Sequence, residues 1–188
     1  MQQLLTVSRA IDALTMRIGR AASWLVLAVC VVAAGHAVIG KVFGAGANSN
    51  AWTELQWLMF AGIFLLAAPW TLASNEHIRI DILNQRLEKR TRDWIDIIGH
   101  ALFLLPMAGL IVWTAVPFAL TSYAQHEGSS NFGGLPQWPL KILIPLAFTL
   151  LFAQGVSELI KRVAILRGEL AEPKGSATDP RSKTPHDI

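Results

Sequence analysis

Cysteine and charge are both scarce in this 188-residue chain, and each scarcity removes a class of protein. The one cysteine, Cys30, excludes an intrachain disulfide and a cysteine metal cluster, and reads as a small apolar filler. Charged residues make up 15% of the chain, against about 25% in soluble domains. The phosphate-loop pattern G-x-x-x-x-G-K-[ST], the zinc-protease pattern H-E-x-x-H and the hydrolase pattern G-x-S-x-G do not occur. Titratable groups are not clustered either, so no enzymatic activity is expected. The formal net charge of +3 does not point to nucleic acid. Its cations gather at the edges of apolar segments, where anionic lipid headgroups attract them.

Apolar residues are what the chain has in abundance: 53% of the sequence, with a mean hydropathy of +0.43. They fall in four runs, at about 21–39, 52–73, 97–121 and 140–160. Each matches the roughly 20 helical residues needed to cross a hydrocarbon core of about 30 Å. A spanning segment must satisfy its own backbone polar groups, so each run is expected to be a helix. The fold class is therefore an all-α integral membrane protein with four transmembrane helices. Fourteen of the sixteen Lys and Arg residues lie before the first run, between the second and third, or after the fourth. The positive-inside rule then puts both termini and the 74–96 connection on the cytoplasmic side of an inner membrane. The first run exceeds a signal-peptide core and follows 20 other residues, so it is expected to remain as an uncleaved helix.

Before the first run, Leu4, Val7, Ile11, Leu14 and Ile18 recur at helical spacing. Residues 1–20 are expected to form an amphipathic arm in the interface plane, against lipid or a partner. Arg9, Arg17 and Arg20, with Trp52, Trp70 and Trp94, are the expected membrane-interface anchors. Residues 21–166 would form the four-helix domain, and the Pro-, Ser- and charge-rich 167–188 a disordered cytoplasmic tail. Trp94 and Tyr123 are too far apart in sequence for an upright helix of core length. Pro106 and Pro117 are the candidate kinks. The small pairs Ala33/Ala37, Gly40/Gly44 and Ala115/Ala119 suit close helix packing, and Gln56, Thr114, Gln154 and Ser157 suit hydrogen bonds between helices.

Ion-coupled transport cores keep ionisable groups near the midplane, and no Asp, Glu, Lys or Arg lies deep inside these runs. Glu54 comes closest, two residues past Trp52, where it could snorkel, pair with Lys41 or meet a partner chain. His36 and His100 would be the haem ligands of a membrane cytochrome, but they fall at opposite ends of their helices. No cofactor or metal is expected in this chain.

Two connections carry an identity. One runs Ser74-Asn75-Glu76-His77-Ile78-Arg79-Ile80-Asp81, and the other Ser129-Ser130-Asn131-Phe132-Gly133-Gly134-Leu135-Pro136-Gln137-Trp138. With Glu54 and the four-run layout, they resemble the small membrane subunit of tripartite ATP-independent periplasmic (TRAP) transporters, the DctQ-like family, over roughly 24–166. Glu76 departs from the small residue that the family pattern favours there. The resemblance implies a large membrane subunit carrying the substrate and sodium sites, and a periplasmic substrate-binding protein that delivers an organic acid. The small subunit braces the large one and helps dock the binding protein. It also implies subunit contacts at Glu54, at His77, Arg79 and Asp81, and at Ser129, Ser130, Asn131, Gly133, Gly134, Pro136 and Trp138. The alternative from the residues alone is a stand-alone small membrane protein, either an assembly factor or a homo-oligomeric channel.

Overall fold

The computed structural model describes residues 2–44, 50–74 and 89–167, and all regular structure in them is helical. Helix α1 spans Gln2–Phe43, α2 Asn50–Ala73 and α3 Lys89–Gly99. A π-helical stretch, His100–Leu104, joins α3 to α4 at Leu105–Ala124, and α5 spans Trp138–Leu166. Four helices are long and apolar enough to cross a membrane: Gln2–Val42, Asn50–Ala73, Trp94–Ala124 and Trp138–Leu166. The expected spans all fall within them.

The interior of this bundle is made of small and polar side chains. Ala108, Ala115, Ala119 and Ser122 are the buried face of α4, and Ala147, Gln154, Gly155, Ser157 and Ala164 that of α5. Large apolar groups point outward: Trp113 is 81% exposed, Trp57 77% and Phe103 70%. A soluble core would show the reverse. In lipid, burying a large apolar side chain against a neighbouring helix gains little, whereas a small one lets backbones approach. The expected pair Ala115/Ala119 lies on such a face, whereas Ala33 is half-buried and Ala37 exposed. Helix α5 packs against every other helix, and α1 and α2 also pack on each other.

Two expectations change. The segment 1–20 is not separated from the first span, because α1 continues unbroken from Gln2 to Phe43. On this segment Leu4, Val7 and Leu14 are about half exposed, while Leu5, Ser8, Thr15, Gly19 and Ala22 are buried against the bundle. The physical reason is a set of polar contacts from Ser8 and Asp12 to α5, which hold that face inward. The second change concerns the third span. Pro106 has no N–H to offer the Leu102 carbonyl, and its ring crowds that carbonyl. The helix widens into the π-helical stretch just before it, where the Leu105 N–H bonds to the His100 carbonyl. At Pro117 the helix continues, with the Thr121 hydroxyl donating to the Pro117 carbonyl at 2.9 Å.

Among the helical glycines of the described residues, the tightest contact joins α1 to α2. A Cβ on Gly19 would lie 2.5 Å from Trp70 Cγ and 2.6 Å from Trp70 Cβ. Those atoms sit next to the α2 backbone and cannot swing aside. Trp70, expected as an interface anchor, is thus half-buried against α1. Gly19→Ala is expected to destabilise the fold by about 1–3 kcal/mol through overpacking. Gly35→Ala, where nothing lies within 4 Å, should leave it unchanged. Thermal unfolding of both variants in the same detergent is the check.

Candidate functional site

Glu54 sits in the second turn of α2, and the connection from α4 to α5 folds onto it. The Asn131 side-chain amide donates to Glu54 Oε1 at 2.8 Å, the Ser129 hydroxyl donates to the same oxygen, and the Leu135 backbone N–H donates to Oε2 at 2.7 Å. The loop also bonds to itself, from the Asn131 N–H to Ser129 Oγ at 3.0 Å and from the Gly134 N–H to the Asn131 carbonyl at 3.1 Å. At the first residue of α2, the Asn50 amide donates to the Phe132 carbonyl at 2.9 Å. Two glycines make this wrap possible. Gly133 has φ +71°, a left-handed conformation that costs glycine little. A Cβ on Gly134 would lie 2.6 Å from Glu54 Oε2.

A second carboxylate closes the base of the same loop. Glu127 Oε2 accepts from Lys141 Nζ at 2.5 Å and from the Ser122 hydroxyl at 2.7 Å, while its carbonyl accepts from the Gln137 N–H at 3.0 Å. The Lys141 ammonium and the Ser122 hydroxyl together hold the Glu127 carboxyl below its usual value of 4.5, against a smaller opposing effect of burial. Lys141 also lies 4.4 Å from the centre of the Phe118 ring. Tyr123 and Trp138 meet edge to face at 5.3 Å between α4 and α5. Beside Glu54, the exposed Trp57 and the half-buried Leu58 and Leu140 line a cleft of about 460 Å³.

The other end of the bundle holds a second polar centre. Asp12 Oδ1 on α1 accepts from Gln154 Nε2 at 2.8 Å, Ser157 Oγ at 2.9 Å and Lys161 Nζ at 3.2 Å. Lys161 also pairs with Glu158, three residues earlier on α5. Its neighbour Arg162 turns the other way and pairs with Asp96 on α3 at 3.2 Å. Ser8 and Ser157 share a hydrogen bond of 2.7 Å.

Of the sequence candidates, the structure brings together Glu54, Ser129, Asn131 and Gly134. Ser130, Gly133 and Pro136 lie on the exposed side of the loop, and Trp138 at its base. His77, Arg79 and Asp81 fall outside the described residues. Arg9, Arg17, Arg20 and Trp94 are exposed, and Trp52 is half-buried, stacked on His36 with ring centres 6.3 Å apart. Gln56 bridges α2 to His36 Nδ1 at 3.0 Å, and Gln154 and Ser157 join α5 to α1, as expected. Thr114 instead donates within its own helix. Reading the sequence missed Glu127 with Lys141, Asp12 with Lys161 and Asp96 with Arg162. No residue-level signal marks these pairs, since each joins charges on different segments.

Two outcomes follow from this geometry. Glu54→Gln keeps an acceptor for Ser129 and Asn131, but its amide turns a donor, or a weaker acceptor, toward the Leu135 N–H. Hydrogen exchange at Leu135 should therefore speed up several-fold, and more in Glu54→Ala, while peptides from α5 keep their protection. For Glu127 the folded pKa is depressed, so its stabilising effect is complete at neutral pH and is lost as pH falls below 4.5. Protection of the Gln137 amide should accordingly hold from pH 7 to 5 and drop in more acid solution. Glu127→Gln should remove that pH dependence.

The family model described as the DctQ component of tripartite ATP-independent periplasmic transporters matches residues 37–164. That stretch is more than half of the chain and contains Glu54, the entire loop, and Lys141, Lys161 and Arg162. Neither the curated proteins nor the solved structures compared with the chain include a match. The chain belongs to the DctQ family, the small membrane component of TRAP transporters.

Proposed function

We propose that the chain is a static brace for the large subunit of a TRAP transporter and a docking surface for its periplasmic substrate-binding protein. It lies in the bacterial inner membrane with both termini in the cytoplasm, so the loop at 125–137 faces the periplasm. The large subunit carries sodium and substrate, an organic acid, and moves against this wall. The observation that supports a brace is the placement of charge. The ion pairs Lys141 with Glu127, Lys161 with Asp12 and Arg162 with Asp96 join different segments near the two ends of the helices. The stretches between, 21–40, 55–73, 97–121 and 142–157, contain no Asp, Glu, Lys or Arg. A coupling-ion path needs ionisable groups or unwound backbone at such depth, while a wall needs helices that stay joined.

Affinity purification of the chain from its own membranes in mild detergent tests this reading. A large, many-spanned membrane protein should co-purify in stoichiometric amount, and the pair should support sodium-dependent carboxylate uptake with the binding protein added. Recovery of the chain alone, as a stable homo-oligomer in several detergents, would overturn the brace and favour a stand-alone channel or assembly factor.

A further inference from the structure

We propose that Phe132 is the aromatic anchor through which the chain engages the substrate-binding protein, its ring entering an apolar socket on that partner. The inference rests on the small-subunit reading above, and it adds a contact residue that the loop pattern alone did not single out. Phe132 is 98% exposed, although the backbone on both sides of it is fixed. Its carbonyl accepts from Asn50, the Asn131 side chain before it is bound to Glu54, and Gly133 turns the chain after it. Binding through a loose loop loses affinity to the ordering of that loop. Here the hydrogen bonds to Glu54 and Asn50 have already restricted the backbone, so the ring is presented on a preformed support. Aromatic side chains are enriched in the cores of protein interfaces.

The surroundings favour a soluble protein over lipid. Aromatic rings with a polar edge settle at headgroup level, and Tyr123 and Trp138 occupy the base of the loop. Phe132 has no such edge, and it sits at the start of α2 among Ser129, Ser130 and Asn131. A lateral contact with the large subunit is disfavoured for a related reason. The bond to Asn50 holds Phe132 at the end of the bundle and not on its flank. Charge complementarity narrows the partner surface further. Glu127 is the one carboxylate or ammonium among residues 125–137, and Lys141 neutralises it. The Glu54 carboxylate beneath the loop is held by the neutral donors Ser129, Asn131 and Leu135 and keeps its charge. The matching surface is therefore an apolar socket with a rim free of carboxylates, and association should depend only modestly on salt.

The test uses the complex of this chain with its large subunit in proteoliposomes, with uptake measured against the concentration of the binding protein. Phe132→Ala should raise the half-saturating concentration about tenfold, the effect of truncating a strong interface residue. Maximal rate, yield of the large subunit and exchange protection of Leu135 should stay unchanged, and Phe132→Trp should restore most of the affinity. An unchanged half-saturating concentration in Phe132→Ala would overturn the proposal. Loss of the large subunit would overturn it by assigning the ring to the membrane partner, and loss of Leu135 protection would do so by making the ring a structural part of the loop. If no large subunit accompanies the wild-type chain, the small-subunit reading itself fails, a result distinct from any of these.

Discussion

Helices in hydrocarbon gain almost nothing from pressing apolar side chains together, because lipid tails solvate those side chains equally well. Association must come from close backbone contact and from polar groups that have no better partner. Helix α5 supplies both. Its face of Ala147, Gly155 and Ala164 lets neighbours approach, and its Gln154, Ser157, Lys161 and Arg162 reach α1 and α3. Near its other end Lys141 holds Glu127, at the start of the α4–α5 loop. Every other helix packs on α5, and α1 and α2 also pack on each other, so the arrangement of the bundle depends chiefly on this one element.

Consecutive basic residues make that role possible. Lys161 and Arg162 are about 100° apart around a helix of 3.6 residues per turn, so one reaches Asp12 and the other Asp96. Each pair is partly buried, and in such places an unpaired charge is far more costly than a paired one. The Asp12 centre carries two carboxylates and one ammonium, with Gln154 donating to both Asp12 and Glu158. A neutral amide that bridges two acids spreads their charge without adding to it. The consequence for α1 is positional. Ser8, Asp12, Thr15 and Gly19 are turned toward the bundle, while Leu4, Val7, Leu14 and the arginines are left outside.

Residue types and spacing revealed the number of helices, their approximate limits and the family, because each rests on local signals summed over many residues. Length and hydropathy decide a span without any knowledge of its neighbours. Glu54 was legible as an unusual charge, and the Ser129–Trp138 loop as a patterned segment. That they are one object was not, since the contact spans 77 residues between Glu54 and Asn131. That residues 1–20 continue into the first span was not legible for a related reason. Periodicity locates a stripe on a helix but does not say which stripe packs, and in this chain four small or polar residues outcompete the leucines. The π-helical stretch lay between the two: Pro106 announced a disturbance, while its form depended on how the Leu105 N–H was reused.

The distance between the two polar centres links the fold to its setting. Lys141 and Lys161 are twenty residues apart on α5, which is about 30 Å of helix, the thickness of a hydrocarbon core. The same helix thus places one ion pair near each of its ends, and the residues between, 142–157, contain no Asp, Glu, Lys or Arg. Asp12, bound to Lys161, fixes where α1 sits along α5, with residues 2–11 continuing the same helix. At the opposite end of the bundle, Glu54 and Glu127 draw the loop back onto α2 and α5 and leave one aromatic ring outside. A subunit built this way has its polar chemistry where water can reach it and its rigidity where lipid surrounds it. A fixed wall beside a moving partner requires that division, and a conducting pathway would invert it.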